Sequence, residues 1–370
     1  MLTTAVFILL GSVFSTIIGL PWDIYGTFKI EEKHGFNKMT AGFYAWDKLK
    51  KFVVMQLITL PIMCGMIQIV KIGGQLFFVY LWAFIFVTSL VLMTIYPDFI
   101  APLFDKFVPL PPGKLRTDIE AIADSVGFPL KKIYVVEHSK RSAHSNAYLY
   151  GMFNSKKIVL FDTLLKDSSY RPAENENSGN PTSQDTIDNE HGEPPHDGVR
   201  QRSSSAGASS DAPSQPQPTR CSDEEILAVI CHELGHWKMS HVIKVFVIMQ
   251  IHMFFSFLIF ASLYRNSTIY QAFGFNDDKP ILIGMLLILE YIFSPYNVVM
   301  DFLMTIYSRH NEFQADDFAR RMHRASYLRQ ALINLNKDNL GFPLNDPLYS
   351  AWHHSHPPLQ ERIKALGKND

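Results

Sequence analysis

The stretch Ser222-Asp223-Glu224-Glu225-Ile226-Leu227-Ala228-Val229-Ile230-Cys231-His232-Glu233-Leu234-Gly235-His236 runs almost directly into the apolar segment Val242–Tyr264. Its start reads as a helix N-terminus, with Ser222 as N-cap and Glu225, three residues on, reaching back to close a capping box. Ile226, Leu227, Val229 and Ile230 supply a face to bury. A spacing of four places His232 and His236 on one side of the helix, where two imidazoles can bind one metal ion at about 2.0–2.1 Å. Glu233 is rotated from His232 by roughly 100°. It is thereby kept off the metal and beside a water, where a general base belongs. Gly235 either admits a close neighbour or is simply tolerated. No proline lies between Pro218 and Pro280, so one continuous helix is expected from the metal site into the apolar run.

A catalytic zinc takes three protein ligands and leaves a position for water. The run Arg309-His310-Asn311-Glu312-Phe313-Gln314-Ala315-Asp316 offers Glu312 as the third. Asp316, one turn on, is placed to accept the second N–H of a ligating histidine, and Arg309 is expected to join it behind the ligands. A solvated, charged helix face is the plainer alternative, favoured by Arg320 and Arg321. Near the C-terminus, Pro357 and Pro358 restrain the backbone after His354-Ser355-His356. His356 can then stabilise the oxyanion of a tetrahedral intermediate. A polar loop leading into a last helix, Leu359–Leu366, fits the same residues. Cys231 points off the His232/His236 face and reads as packing.

The 370 residues carry 34 Lys and Arg against 35 Asp and Glu, a net charge of −1 that gives no argument for nucleic acid. Charged residues are 19%, below the usual quarter or so, and the deficit is concentrated in apolar stretches. Three cysteines, Cys64, Cys221 and Cys231, show neither a disulfide framework nor a cysteine metal site, which suits a reducing compartment.

Five stretches approach the 20 or so apolar residues that a bilayer requires: Leu2–Leu20, Phe52–Val70, Leu76–Tyr96, Val242–Tyr264 and Ile281–Ile306. The last is interrupted at Ser294-Pro295, where a kink is expected. The first lacks the basic start and small-residue cleavage site of a signal peptide and reads as a retained span. The loop Pro21–Lys51 carries six lysines, whereas the opposite side holds Lys71, Arg265 and Lys279. The lysine-rich side should be cytosolic. Threading five spans puts Pro97–Ser240 and Arg309–Asp370 on that side, so His232, Glu312 and His356 can meet there. Between the third and fourth spans, Ile133–Val136, Asn146–Tyr150 and Ile158–Phe161 read as strands, the last two turned around Asn154-Ser155. From about Lys166 to Arg220 the composition becomes polar and nearly free of aliphatic residues, as in a disordered insert. Within the spans, Glu290 and His252 read as one satisfied pair or as the lining of a wet chamber.

The expected fold is therefore mainly α: a polytopic membrane helical bundle with a cytosolic metallopeptidase domain, HExxH and gluzincin-like, containing a small β-sheet. Residues 1–96 hold three spans, 97–165 the strands, and 166–221 the insert. The HExxH helix leads into the fourth span over 222–264, the fifth is 281–306, and 307–370 complete the domain.

Several segments in order give the chain a wider resemblance: Leu20-Pro21-Trp22, Ile30–Asn37, Ile100–Phe107, Ser145–Tyr148, His232–Trp237, Phe293–Asn297, Glu312–Asp316 and Ser355–Pro358. This set resembles the type I CAAX prenyl endopeptidases, zinc proteases of the endoplasmic reticulum and inner nuclear membranes. The resemblance implies one Zn2+ per chain on His232, His236 and Glu312, with Glu233 as base and His356 as oxyanion donor. It implies that Asn146, Ala147 and Tyr148 hold the substrate as an added strand. The implied substrates are proteins ending in a prenylated cysteine and three further residues, with prelamin A among them in animals, and the implied surroundings are membrane lipid. Members have seven spans enclosing a chamber, so the five read here correspond to a chain without the family's first two helices. Two other functions fit the zinc motif: a quality-control membrane peptidase that needs no prenyl group, and a catalytically impaired binder of prenylated or lamina proteins.

Overall fold

A computed structural model of the chain describes residues 2–151, 155–166, 219–342 and 344–367. Most of the expected insert and Asn154 of the expected turn lie outside these residues. Among the described residues, four continuous helical stretches are long and apolar enough to cross a membrane: Leu2–Glu31, Ala41–Ile72, Gly74–Leu103 and His241–Leu263. A fifth candidate is the bent pair Ile281–Ile292 and Ser294–Arg321, which meet at 60°. The bend falls at the expected Ser294-Pro295.

The first helix, α1 (Leu2–Tyr25), runs through Pro21 instead of ending there and continues as a π-helical turn over Gly26–Glu31. In lipid-facing helices, local adjustments of this kind re-satisfy a backbone that proline interrupts. The second, α2 (Ala41–Ile72), starts well before its apolar run because the Thr40 hydroxyl accepts from the Phe43 amide at 3.3 Å. After α3 (Phe77–Ile95) the chain leaves the apolar segments. Many span residues, Leu10, Phe14 and Leu57 among them, are exposed, as expected of surfaces whose solvent is lipid.

The soluble part begins with β1 (Phe107–Pro109), α4 (Lys114–Val126), β2 (Leu130–Val136), β3 (Ala147–Tyr150) and β4 (Lys156–Phe161). The sheet order is β1-β2-β4-β3, with β2 and β4 parallel and the outer pairs antiparallel. This leaves β3 as an edge. The chain on either side of the polar insert closes neatly, since Cys221 N donates to Leu164 O at 3.0 Å and Lys166 N to Cys221 O at 3.3 Å. Lys166 and Cys221, which lie on either side of it among the described residues, are therefore neighbours.

The HExxH segment is α5 (Asp223–Lys238). Its capping box is formed, with Ser222 N donating to Glu225 Oε2 at 2.9 Å. Ile226, Leu227, Ile230 and Leu234 pack with Leu115 and Ile119 of α4, Ile133 of β2, and Ile158 and Leu160 of β4. Each such buried side chain contributes about 1.5–3 kcal/mol. The expected continuous helix does not form. Met239 and Ser240 break it, with Ser240 at φ +56°, and α6 starts afresh at His241 and ends at Leu263. After α7 (Ser267–Ala272) and α8 (Ile281–Leu286), a π-helical turn over Leu287–Ile292 leads to α9 (Ser294–Arg321). A separate apolar core joins Met66 and Val70 of α2, Phe77 and Leu81 of α3, Phe257 and Phe260 of α6, and Met285 of α8. The chain ends with α10 (Ala325–Asp338), α11 (Pro347–His353) and α12 (Leu359–Leu366), the last with the expected bounds.

The lysine-bearing loop after α1 packs on the soluble part. Ala143 N donates to Phe36 O at 3.1 Å, and the Phe36 and His144 rings stack with centroids 4.2 Å apart. The loop and the sheet thus share one side of the spans. His252 pairs with Tyr296 (Nδ1 to Oη, 3.0 Å), not with Glu290, which is exposed on the π-helical turn.

Candidate metal centre and active site

Two helices build the centre. α5 carries His232 and His236 four residues apart, and α9 crosses it with Glu312. The crossing is close because residue 235 has no side chain. A Cβ there would lie 3.0 Å from Ala315 Cα and 3.0 Å from Phe318 Cβ. Gly235 therefore serves a close approach, which decides between the two readings of it from sequence.

His232 Nε2 and His236 Nε2 are 3.2 Å apart. The Glu312 carboxylate lies 3.6 Å from the first and 3.4 Å from the second. Donors bound at 2.0–2.1 Å to a tetrahedral ion stand about 3.3 Å from one another. The three residues fit such an ion on spacing alone. They also fit it chemically. His232 Nδ1 is 2.9 Å from Asp316 Oδ1, and a carboxylate can only accept, so the ring hydrogen sits on Nδ1 and leaves Nε2 a bare lone pair. Lone pairs and carboxylate oxygens that converge at such distances repel unless a cation lies among them.

Arg309 does not stand behind the ligands. Its guanidinium bonds Ser350 Oγ at 3.0 Å and His354 O at 3.2 Å, and pairs with Glu361. It clamps the segment that carries His356. The arginine behind the ligands is Arg362 of α12. It forks onto both oxygens of Asp316 at 2.6 and 2.8 Å, lies 3.3 Å from His232 Nδ1, and approaches Glu312 to 3.6 Å. Nothing in its spacing singles it out; only the return of α12 onto α9 does so.

Glu233 is half-buried beside the ligands, and burial pushes its carboxyl above the ordinary glutamate range. His356 is largely exposed, with Nδ1 3.1 Å from Glu312 Oε1. The Glu312 carboxylate raises the His356 imidazole above its ordinary value. With Nδ1 turned to a carboxylate that can only accept, the other ring nitrogen can donate only while the ring carries both hydrogens, the state that the Glu312 carboxylate favours.

The edge strand β3 packs against α5. Phe161 N donates to Asn146 O at 3.0 Å. Alternation along an antiparallel pair then turns the peptide groups of Ala147 and Leu149 toward the open edge. One outward amide, that of Ala147, is met by the Asn146 side chain at 2.8 Å. Tyr148 faces Val159 across the ladder.

A family model described as Peptidase family M48 matches residues 109–370, and one described as CAAX prenyl protease N-terminal, five membrane helices, matches residues 1–106. The chain belongs to peptidase family M48. This M48 chain is 51% identical to the human CAAX prenyl protease 1 homolog over 98% of its own length and 73% of that protein's. It is 37% identical to CAAX prenyl protease 1 of Saccharomyces cerevisiae, over 97% and 71% of the two chains. The crystal structure of S. mikatae Ste24p superposes with a TM-score of 0.79 at 37% identity, covering 98% of the M48 chain and 75% of that one. The chain is accordingly a multi-pass membrane metalloprotease of the M48 family.

Proposed function

We propose that this protease removes the C-terminal tripeptide from proteins that end in a prenylated cysteine followed by three residues, prelamin A among them in animals. We assign zinc as its metal, one ion per chain, held by His232, His236 and Glu312. The observation that carries the reading is the meeting of those three donors, at separations of 3.2–3.6 Å, on a helix against which β3 packs, an edge strand among the described residues. The names of the relatives support the substrate class.

Zinc bound there supplies a Lewis acid that polarises the scissile carbonyl and acidifies water. Asp316 and Arg362 orient His232. Glu233 takes a proton from the attacking water and passes it to the leaving amine, a task that suits a carboxyl raised toward neutrality. His356, held by Glu312, donates to the oxyanion. Asn146, Ala147 and Tyr148 bind the substrate as a further strand, with the outward peptide groups of the edge bonding its backbone.

The site is proposed to face the cytosol, because the lysine-rich loop packs on the same side and basic loops stay inside. The membrane is proposed to be that of the endoplasmic reticulum and the inner nuclear envelope. In a test, Glu233→Gln retains zinc but loses cleavage of a farnesylated peptide, and the parent chain cleaves that peptide far faster than its unprenylated form. Equal rates on both peptides would overturn the substrate class, and normal turnover by Glu233→Gln would overturn the mechanism.

A further inference from the structure

His236 lacks the carboxylate that orients His232. Its Nδ1 instead meets His241 Nδ1 at 2.9 Å, and His241 Nε2 meets Gln314 Oε1 at 2.9 Å. His241 is 3% exposed, so water does not compete for either bond. The donor pattern follows from the far end. An amide oxygen only accepts, so His241 Nε2 carries the hydrogen. A neutral imidazole has one such hydrogen, so His241 Nδ1 is an acceptor. His236 Nδ1 must then donate to it, and His236 Nε2 is left bare toward His232 and Glu312.

The helix break exists in the right place for this. In a continuous helix, a residue five positions after His236 would be rotated away from it by about 140°. The left-handed turn at Ser240, φ +56°, brings His241 back against His236. A residue with a side chain disfavours that conformation, and here it sets the two imidazoles against each other. His241 is also the first residue of α6, and Gln314 sits two residues beyond Glu312 on α9.

We propose that His241 and Gln314 are positioning residues that fix the tautomer of His236, and that Gln314 sets it from outside the ligand shell by accepting through its amide oxygen. This rests on His236 being a metal ligand. Reversing the polarity of residue 314 should reverse the relay. A lysine there donates to His241 Nε2, which moves the His241 hydrogen to Nδ1 and the His236 hydrogen to Nε2, where it blocks the metal.

The experiment uses the full chain in detergent with Gln314→Glu, Gln314→Met, Gln314→Lys and His241→Phe. Zinc affinity is read by chelator competition, and thermal unfolding of the metal-free chain monitors folding. The 15N spectra of the histidine-labelled, metal-free chain report the His236 tautomer. Gln314→Lys and His241→Phe should weaken zinc binding by about 10–100-fold at unchanged metal-free stability. Gln314→Met should fall between, and Gln314→Glu should recover parental affinity. The spectra should show the Nδ1–H form of His236 in the parent and the Nε2–H form in Gln314→Lys. Equal losses in Gln314→Glu and Gln314→Lys, or an unmoved tautomer, would overturn the proposal in favour of plain packing. A parent chain that binds no zinc would overturn the ligand assignment, while the spectra would still decide the relay.

Discussion

Arg362 places Nη2 2.6 Å from Asp316 Oδ1, and that same oxygen lies 2.9 Å from His232 Nδ1. One carboxylate thus serves both an arginine from the last helix and a histidine of the HExxH motif. Asp316 is 2% exposed, and it keeps its charge because Arg362 forks onto it.

Removing the arginine should leave that charge alone in a buried setting, which costs about 3–5 kcal/mol. Arg362→Met is expected to lower thermal stability by that order and to weaken zinc binding. Adding Asp316→Asn to Arg362→Met should restore part of the stability but not the zinc affinity, since the amide orients His232 less firmly. Thermal unfolding with chelator competition checks both. Arg362→Met as stable as the parent would show that the fork does not carry this weight.

Gly235→Ala adds one methyl against Ala315 Cα and Phe318 Cβ, each 3.0 Å away. Neither atom is the free end of a flexible chain. Overpacking of this kind costs about 1–3 kcal/mol, and relief comes by moving α9 and Glu312 away from the histidines. The expected result is a stability loss together with weaker zinc binding. A stability loss with parental zinc affinity would mean that α9 adjusts without moving Glu312.

The pH dependence of cleavage should follow Glu233 and His356. Glu233 must be ionised to act as a base, and burial raises its carboxyl, so activity rises with pH through a midpoint above the ordinary glutamate value. His356 must be protonated to donate, and the Glu312 carboxylate raises it, so activity falls only above the ordinary histidine range. His356→Gln is expected to lose about 10²–10³ in kcat and to lack the alkaline limb. A parent-like alkaline limb in that variant would assign the limb to another group.

The open edge of β3 implies backbone recognition of substrate. Methylating a substrate amide that pairs with the carbonyl of Ala147 or Leu149 removes a donor worth about 0.5–1.5 kcal/mol and adds a clash. KM is expected to rise at least several-fold for methylation there, and not for methylation at the neighbouring amide, which points away. A uniform response along the peptide would argue against an added strand.

Much of this was legible locally. The capping box at Ser222 and Glu225, the kink at Ser294-Pro295 and the bounds Leu359–Leu366 each depend on neighbours within a few residues. The strands are also legible, though Leu130–Val136 and Lys156–Phe161 extend beyond the apolar residues Ile133–Val136 and Ile158–Phe161 that mark them in the sequence. The structure departs from local preference where a distant partner overrides it. Ser240 adopts a conformation that serine disfavours because His241 is held by His236 and Gln314. Arg309, close to Glu312 in sequence, clamps the His356 segment instead of standing behind the ligands. His252 found Tyr296 in place of Glu290.

The sequence by itself determined the pairing of His232 with His236, the position of Glu233 and the presence of the apolar spans, because helical periodicity is fixed by backbone geometry and the apolar length a span needs is fixed by the bilayer. Only the tertiary structure decided which residues complete the centre. Gly235 lets α9 bring in Glu312 and Asp316, and α12 folds back to supply Arg362. Such meetings depend on how whole helices pack, and packing is settled by contacts among residues far apart along the chain.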